Sequence, residues 1–335
     1  MKKKVLVTGA NGFVGSNIVR ILLENRFSVY ALVRKTSDLT YLRPFFKKIN
    51  LVFGDVRDKD SLRDIFKKVE IVIHAAAYAS DWGRYHQFCQ VNITGTKNVC
   101  ELALEHRIKH LIHISSISVY GFNKRINADE RTAVIQNKYY YCRSKLEGER
   151  TVCHFMNVFH LNATIIQPGQ IYGPNDRTMT YPMIEAILKW QYAVGDSGKH
   201  YLSPLYIDNL LQAILLILKK PKKSLGETYI ITDNVKISWA EYTRILCDLL
   251  GARFPWINIP RWLGFVVAFL SESVYKFLRM KTPPLVTAYR VALVTSEFHF
   301  VPKKIMGELG YRPDQNIKSN LRKTVEAYYQ SKREK

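Results

Sequence analysis

Short apolar runs alternate with longer amphipathic segments over the first half of the chain. The runs have the length of buried strands, and the apolar residues between them recur at the three- and four-residue spacing of helices. Five runs predict strands, at residues 4–8, 28–33, 50–53, 70–73 and 111–114, and the clearest helix is predicted at 16–24. Strands that alternate with helices to about residue 165 predict an α/β fold, a doubly wound parallel sheet with helices on both faces.

The second half of the chain is mostly helical, with short strand candidates such as residues 228–231. At 335 residues the chain is long enough for one large α/β body and a smaller lobe. We expect residues 1–170 to form the first domain and residues 205–235 to pack back onto it. Residues 171–204 and 236–335 are expected to form the smaller, mainly helical substrate lobe.

A glycine-rich turn separates the first predicted strand from the first predicted helix. Gly9, Gly12 and Gly15 occupy positions that permit a tight turn, a close approach of backbone to a pyrophosphate, and close packing of helix on strand. An anion bound there also meets free N–H groups at the positive end of the helix dipole. The sequence therefore predicts a dinucleotide site, to which we assign Gly9, Asn11, Gly12, Phe13, Val14 and Gly15.

The residues after the second strand bear on the choice of dinucleotide. Arg34 and Lys35 stand where an acidic residue would accept a hydrogen bond from the ribose of NAD, and a guanidinium suits the 2′-phosphate of NADP. NADP is therefore favoured, although Asp38 nearby keeps NAD open. The same site is predicted to include residues that follow the third and fourth strands, namely Asp55, Val56, Ala75, Ala76 and Ala77.

Tyr141 and Lys145 are the candidates for chemistry. Residues i and i+4 share a helix face, so the Lys145 ammonium is expected to lie beside the phenol and to lower its pKa from about 10 toward neutrality. A tyrosinate can then take the proton of an alcohol while a hydride leaves for a nicotinamide. Ser116 follows the fifth strand and is expected to hydrogen-bond the substrate oxygen at the carboxyl edge of the sheet.

These features occur in order with other short motifs: Thr8-Gly9-x-x-Gly12-x-x-Gly15, His74-x-Ala76-Ala77, Ser115-Ser116-x-x-Val119-Tyr120-Gly121, Tyr141-x-x-x-Lys145 and Pro168-Gly169-x-Ile171. Over nearly its whole length the chain resembles an extended short-chain dehydrogenase/reductase, most of all the 3β-hydroxysteroid dehydrogenase-like and dihydroflavonol reductase-like branch. The resemblance implies a Rossmann-like fold, a homodimer through two sheet-flanking helices, and catalytic Ser116, Tyr141 and Lys145. It also implies a supporting polar role for Asn92 and places Pro168 and Ile171 in the cofactor site.

The resemblance implies an NAD(P)-dependent oxidoreductase that acts on a hydroxyl or ketone of a large hydrophobic substrate, such as a sterol, a triterpenoid or another lipid. A nucleotide-sugar epimerase shares the fold and the serine, tyrosine and lysine set, so it stays an alternative. Gln167 weighs against it, because sugar-nucleotide enzymes commonly carry arginine before this proline. A third interpretation is a non-catalytic NADP-binding protein, which the intact Ser116, Tyr141 and Lys145 disfavour.

The charge of the chain bears on its partners. A formal net charge of +22 and a pI near 9.7 indicate contact with something anionic. The basic residues are scattered and form no recognisable nucleic-acid module, so nucleic acid is not expected. Residues 256–281 combine apolar and basic side chains over a run too short to span a bilayer. Two interpretations stay open: an amphipathic segment on an anionic membrane surface, or a helical pair packed over the substrate pocket.

The five cysteines have neither the paired spacing of a zinc site nor that of a disulfide framework. We therefore expect no metal and a cytoplasmic setting, with peripheral membrane association if the segment at 256–281 lies on a bilayer. The basic N-terminus imitates a signal peptide, but its apolar run is too short and ends in the glycine turn.

Overall fold

The computed structural model of the protein describes residues 2–333. Its strands are β1 (Lys4–Thr8), β2 (Ser28–Val33), β3 (Asn50–Phe53), β4 (Ile71–His74), β5 (His110–Ile114), β6 (Arg125–Ala128), β7 (Ala163–Pro168), β8 (Gln170–Tyr172), β9 (Val194–Gly195), β10 (Tyr201–Leu202), β11 (Pro204–Tyr206), β12 (Thr228–Ile231), β13 (Ile237–Ser238), β14 (Asn258–Ile259) and β15 (Phe298–Phe300). Seven of them form one sheet in the order β12-β7-β5-β4-β1-β2-β3, and every neighbouring pair in it is parallel. The short strands pair two by two outside this sheet.

The helices are α1 (Phe13–Glu24), α2 (Arg63–Phe66), α3 (Tyr85–Phe88), α4 (Gly95–Glu105), α5 (Tyr140–Phe159), α6 (Thr180–Leu188), α7 (Ile207–Lys219), α8 (Pro221–Ser224), α9 (Trp239–Leu250), α10 (Arg261–Phe277), α11 (Ala288–Val294), α12 (Lys303–Leu309) and α13 (Ile317–Arg333). A π-helical turn at Cys89–Thr94 leads into α4. Short 3₁₀ segments lie at Thr40–Lys48, Asp60–Leu62, Ile117–Tyr120 and Asp196–Gly198.

Alternate residues of the central strands face the two sides of the sheet. Val5 and Val7 belong to a core formed with α1 and α7, whereas Leu6 belongs to a second core formed with α4 and α5. Because helices cover both faces, the strands are apolar throughout, which is why the sequence shows them as continuous runs. The prediction of a Rossmann-like, doubly wound α/β fold is confirmed.

The later part of the chain contributes to the sheet and also surrounds its carboxyl edge. β12 pairs with β7, and α7 packs on α1. Residues of α6, α9, α10 and α11 line a cavity together with the residues that follow β1, β2, β4, β5 and β7. The division of the chain into two domains stays a prediction.

Some element boundaries differ from the predicted ones. The helix α1 begins at Phe13 rather than at residue 16, with Gly12 as its N-cap. Phe13, Val14 and Gly15 are therefore helical, and the tight turn is confined to residues 9–12. Strand β4 is displaced by one residue from its predicted position, and β5 begins one residue earlier.

Candidate active site

The glycine turn after β1 has the geometry of an anion cradle. Gly9 has a φ of 66°, the Gly12 N–H donates to the Gly9 carbonyl at 3.0 Å, and the Ser16 N–H donates to the Gly12 carbonyl at 2.9 Å. Gly12 has no side chain with which to cap α1, and the first turn of α1 has no acidic residue. The N-terminal N–H groups of α1 are therefore available to a phosphate.

The turn also packs against the segment that follows β4. A Cβ atom on Gly9 would lie 2.8 Å from the Ala76 Cα, so a larger residue would separate the two segments. The Ala76 N–H donates to Thr8 Oγ1 at 3.1 Å, and this hydroxyl lies 2.8 Å from His74 Nδ1. Burial lowers the pKa of His74 to about 3, so His74 is a neutral packing residue and not a base.

The end of the site near β2 and β3 is rich in arginine. Arg34 and Arg57 both line the cavity, and Arg57 forms an ion pair with Asp55 at 2.6 Å. This hydrogen-bonded pair lowers the pKa of Asp55. The carboxylate of Asp38 instead accepts hydrogen bonds from the backbone and the hydroxyl of Thr40, at 2.9 and 2.6 Å.

One cavity of about 840 Å³ unites the predicted site residues. Its lining includes every residue that the sequence assigns to the dinucleotide site and to catalysis except Asn92, namely Gly9, Asn11, Gly12, Phe13, Val14, Gly15, Arg34, Asp55, Val56, Ala75, Ala76, Ala77, Ser116, Tyr141, Lys145, Pro168 and Ile171. Aromatic and aliphatic side chains from elsewhere in the chain line the same cavity, among them Phe122, Met183, Trp239, Val286, Tyr289 and Phe298. The volume is within the usual range for pockets that hold organic ligands.

Ser116 and Tyr141 lie together in this cavity. Ser116 ends the extended segment after β5, and its Oγ accepts a hydrogen bond from the Ser118 N–H at 3.1 Å. Burial raises the pKa of Tyr141 to about 12, and a hydrogen bond with the Ser116 side chain acts in the opposite direction. The ring of Tyr289 contacts the ring of Tyr141 edge-on, with 6.2 Å between centroids.

The pKa of Tyr141 corrects the sequence-based expectation. That expectation was a pKa lowered by Lys145, but burial of the phenol raises the pKa and the hydrogen bond with Ser116 does not offset the burial. Lys145 is itself buried, its Nζ donates to the Ile114 carbonyl at 2.6 Å, and its pKa falls to about 8. Burial therefore favours the neutral form of both side chains.

A buried polar network lies on the α5 face that carries Lys145. Glu149 accepts hydrogen bonds from the Ser115 hydroxyl and, at 2.9 Å, from Gln167 Nε2. The Gln167 amide oxygen in turn accepts from the Tyr120 hydroxyl at 2.9 Å. Burial raises the pKa of Glu149, whereas the charge of Glu149 opposes the fall in the pKa of Lys145. The sequence analysis missed Glu149, although its position four residues after Lys145 was a usable signal.

Asn92 lies beside the cavity and not in it. Its Oδ1 accepts from the Tyr78 N–H at 2.7 Å, and its Nδ2 donates to the Ser144 hydroxyl at 2.9 Å. Ser144 precedes Lys145 on α5 and donates to the Tyr141 carbonyl. Asn92 thus ties the segment after β4 to the helix that carries Tyr141, from within a π-helical turn of the kind often found at functional sites.

The segment after β4 is also joined to α11. Asp81 forms an ion pair with Arg290 at 2.7 Å and accepts a hydrogen bond from the Thr287 hydroxyl at 2.8 Å. Trp82 Nε1 donates to the Met280 carbonyl at 3.1 Å. These contacts, which no local sequence pattern indicates, hold the α10–α11 hairpin over the cavity.

The carboxyl edge of a Rossmann-like sheet brings together a glycine turn, a serine, a tyrosine and a lysine. This combination defines an NAD(P)-dependent oxidoreductase. Residues 5–232 match the model of the NAD dependent epimerase/dehydratase family, and the protein belongs to this family. The predicted resemblance to extended short-chain dehydrogenases/reductases is confirmed.

Known relatives carry names from two substrate classes. The chain is 28% identical to 3beta-hydroxysteroid-dehydrogenase/decarboxylase isoform 1 of Arabidopsis thaliana, over 96% of this chain and 79% of the relative. It is 25% identical to the N-acetyl-alpha-D-glucosaminyl-diphospho-ditrans,octacis-undecaprenol 4-epimerase of Escherichia coli O157:H7, over 97% of this chain and 95% of the relative. The crystal structure of gox2253 is similar, with a TM-score of 0.81, 28% identity and 99% of both chains covered.

Proposed function

We propose that the protein transfers a hydride between NADP and a hydroxyl or ketone of a large hydrophobic substrate, such as a sterol, a triterpenoid or another lipid. The observation that carries the proposal is the single cavity that contains the glycine turn, Tyr141 and an apolar lining with Tyr289 and Phe298. A hydrophobic pocket beside a proton-transfer group suits an apolar alcohol better than a charged sugar nucleotide. The hydroxysteroid relative supports the same substrate class.

The proposed mechanism assigns one role to each polar group. Tyr141 takes the alcohol proton in the oxidising direction and returns it to the carbonyl oxygen in the reducing direction. Ser116 donates a hydrogen bond to that oxygen, and Lys145 provides a positive charge and donors for a ribose hydroxyl. Bound NADP would supply the hydride-transfer chemistry, and the glycine turn and Lys145 would hold it. Asn92 and Glu149 act as positioning residues, because they hold α5 and Lys145.

The preference for NADP rests on the arginine-rich end of the cavity. Arg34 lines the cavity and offers a guanidinium for a 2′-phosphate, whereas the guanidinium of Arg57 is paired with Asp55. Asp38, the residue that could select NAD, uses its carboxylate to cap Thr40 and does not line the cavity.

A nucleotide-sugar or lipid-linked sugar epimerase is the second candidate, and the undecaprenol-linked 4-epimerase relative favours it. Gln167 argues against it, because this residue is buried and bonded to Glu149 and Tyr120 and so offers nothing to a diphosphate. Such an epimerase would convert its sugar without net change in the dinucleotide.

The proposal is tested by following nicotinamide absorbance with the purified chain. NADP and NAD, oxidised and reduced, are supplied with hydrophobic 3β-hydroxy compounds, their ketones and nucleotide-sugars. We expect stoichiometric redox turnover of an apolar substrate. Tyr141→Phe should lower kcat by about 10²- to 10⁴-fold while the Kd for NADPH stays nearly unchanged, since it removes only the proton-transfer group.

The matched control is Tyr140→Phe, which alters the adjacent, half-exposed tyrosine and should retain turnover. Unchanged turnover in Tyr141→Phe would refute the mechanism, and sugar conversion without net redox change would establish the epimerase. The proposal extends to a homodimer through two sheet-flanking helices.

A further inference from the structure

The helix α10 has its large apolar side chains on the outside. Its buried positions are small, Gly264 and Ala268, and one turn further Ser271 donates to the Val286 carbonyl at 2.8 Å. The exposed side chains are Trp262, Leu263, Val266, Val267, Phe269, Leu270, Val274 and Phe277, which we call the α10 outer face. At 100° per residue they cover an arc of about 160°. This arrangement is the reverse of a helix that packs its apolar face on a protein core.

The α10 outer face is too large to be an incidental feature of a monomer surface. Phe277, Phe269 and Trp262 are 86%, 70% and 68% exposed. With about 150–250 Å² for each aromatic side chain, these three alone expose roughly 350–550 Å². The largest apolar patch of an ordinary soluble monomer reaches roughly 300–600 Å², and five aliphatic residues enlarge this one.

The flanking residues extend the same surface. Of the 24 large apolar side chains that are exposed within residues 2–333, 13 lie between residues 256 and 285. They include Trp256 on the approach to α10, which is 83% exposed, and Leu278, Met280 and Leu285 after it. Exposed tryptophan beside aliphatic residues is typical of segments at a membrane–water interface.

Charge indicates which partner covers this face. Residues 253–281 contain five basic side chains and one acidic one, Glu272, which accepts from the Ala288 N–H at 2.7 Å and pairs with Lys276 at 3.1 Å. Arg261 lines the cavity, so Arg253, Arg279 and Lys281 provide the positive charge of the outer surface. A second copy of this chain would bring two basic surfaces together, whereas anionic lipid headgroups match them. In the part of the chain that the structure describes, no helix has the length and apolar content to cross a membrane.

The inner side of α10 belongs to the cavity. Arg261 and Gly264 line it, as do Leu285, Val286 and Tyr289 of the segment that follows. Tyr289 contacts Tyr141, so this segment reaches the candidate catalytic tyrosine. A single helix, about 10–12 Å thick, therefore separates the cavity from the α10 outer face.

We propose that the α10 outer face lies in the interface of an anionic lipid bilayer and that apolar substrate passes from the bilayer into the cavity beside the α10–α11 hairpin. The second part rests on the proposed function, because it needs an apolar substrate; the first part does not. The arrangement lets the chain collect a substrate that is almost absent from water. Trp262 and Phe269 enter the headgroup region, and Arg253 and Lys281 bind the anionic headgroups.

Flotation of the full chain with lipid vesicles tests the first part without any turnover. We expect binding to vesicles of phosphatidylcholine and phosphatidylserine, and weaker binding in high salt or on phosphatidylcholine alone. The double variant Phe269→Ser/Phe277→Ser should reduce the bound fraction by about tenfold or more, because it removes two inserted aromatic side chains. Arg253→Gln/Lys281→Gln should weaken binding only to the anionic vesicles.

The matched control is Phe46→Ser/Phe159→Ser, which removes two exposed aromatic residues from other surfaces and should leave binding intact. Equal binding by the α10 variant and by this control would overturn the proposal. So would a chain that ignores vesicles but forms a concentration-dependent dimer that Phe269→Ser/Phe277→Ser abolishes, since a second copy would then be the partner. Circular dichroism should show that all variants are folded.

Turnover then tests the second part. A ketone dissolved in vesicles should be reduced about tenfold more slowly by Phe269→Ser/Phe277→Ser, whereas the same ketone carried by cyclodextrin should be reduced at the wild-type rate. Equal slowing in both carriers would place the defect inside the cavity and refute entry from the bilayer. If no apolar ketone reacts but flotation succeeds, the proposed function fails and membrane binding stands.

Discussion

Removing the negative charge of Glu149 should change the pH at which Lys145 acts. Glu149→Gln keeps the shape of the side chain and can keep its hydrogen bonds. Gln167 has its amide oriented by Tyr120, so its Nε2 can still donate to the new amide oxygen. The Ser115 hydroxyl, which donates to the carboxylate, can turn and accept from the new NH₂ group. The substitution therefore removes charge and little else.

The size of the effect follows from the helix. Lys145 Nζ bonds the Ile114 carbonyl and Glu149 bonds the hydroxyl of the next residue, Ser115, so we take the separation of ammonium and carboxylate as about 6–8 Å. With an effective dielectric constant of about 20 their attraction is about 2–3 kcal/mol, or roughly 1.5–2 pKa units. The pKa of Lys145 is already lowered to about 8 by burial, and Glu149 opposes that fall. Without Glu149 the pKa of Lys145 should fall further below its usual value.

The assay is the affinity for NADPH as a function of pH, measured by the fluorescence of the bound nucleotide. The ammonium donates to the ribose more strongly than the neutral amine, so affinity is highest below the pKa of Lys145 and falls as pH rises through it. The wild-type chain should lose affinity near pH 8, and Glu149→Gln about 1.5–2 pH units lower.

Glu147→Gln is the control for this prediction, because Glu147 lies on the same helix but pairs with Arg143 and Tyr85 at its surface. It should reproduce the wild-type pH dependence. The reasoning is refuted if Glu149→Gln, folded as judged by its melting temperature, has the same midpoint as the wild-type chain. A uniform loss of affinity at every pH would show that Glu149 is only structural.

Two further substitutions address the ends of the cavity. Arg34→Ala should weaken NADPH binding by about 10- to 100-fold, because it removes a charge-assisted hydrogen bond, and should change NADH binding little. Titration of both nucleotides measures the two affinities. Equal losses for NADPH and NADH would refute the preference for NADP. Asp81→Ala should release Thr287 and Arg290, raise the KM for the apolar substrate about fivefold and speed hydrogen exchange over residues 285–294. Unchanged exchange there would mean that the ion pair does not hold the hairpin.

The strands and the dinucleotide turn could be predicted because their signals are local. A parallel strand covered on both faces is mostly apolar, so β1, β2 and β4 stand out as runs. Residues that follow parallel strands meet at one edge of the sheet, so the convergence of Gly9, Ala76 and Ser116 on one cavity was foreseeable. β12 was also recognised as a strand, but its place beside β7 depends on long-range pairing that no run of residues encodes.

The surroundings of Tyr141 and the buried face of α10 could not be predicted from local sequence signals. The pKa of Tyr141 is set by burial under elements far along the chain, including Tyr289, which follows it by 148 residues. The Tyr141-x-x-x-Lys145 motif alone suggested a lowered pKa for Tyr141. The sequence analysis likewise left open which face of α10 is buried. The spacing of Gly264, Ala268 and Ser271 marks a narrow inner stripe of small residues. Apolar periodicity identifies a helix but does not say which side meets protein.

The position of β12 at the edge of the sheet bears on how the protein is made. During synthesis β7 emerges some sixty residues before its neighbour β12, and until then its outer edge has unpaired N–H and carbonyl groups. A fragment that stops near residue 170 would keep that edge open and would be prone to associate with other chains. The sheet that follows the glycine turn is therefore completed only by a strand from the second half of the chain.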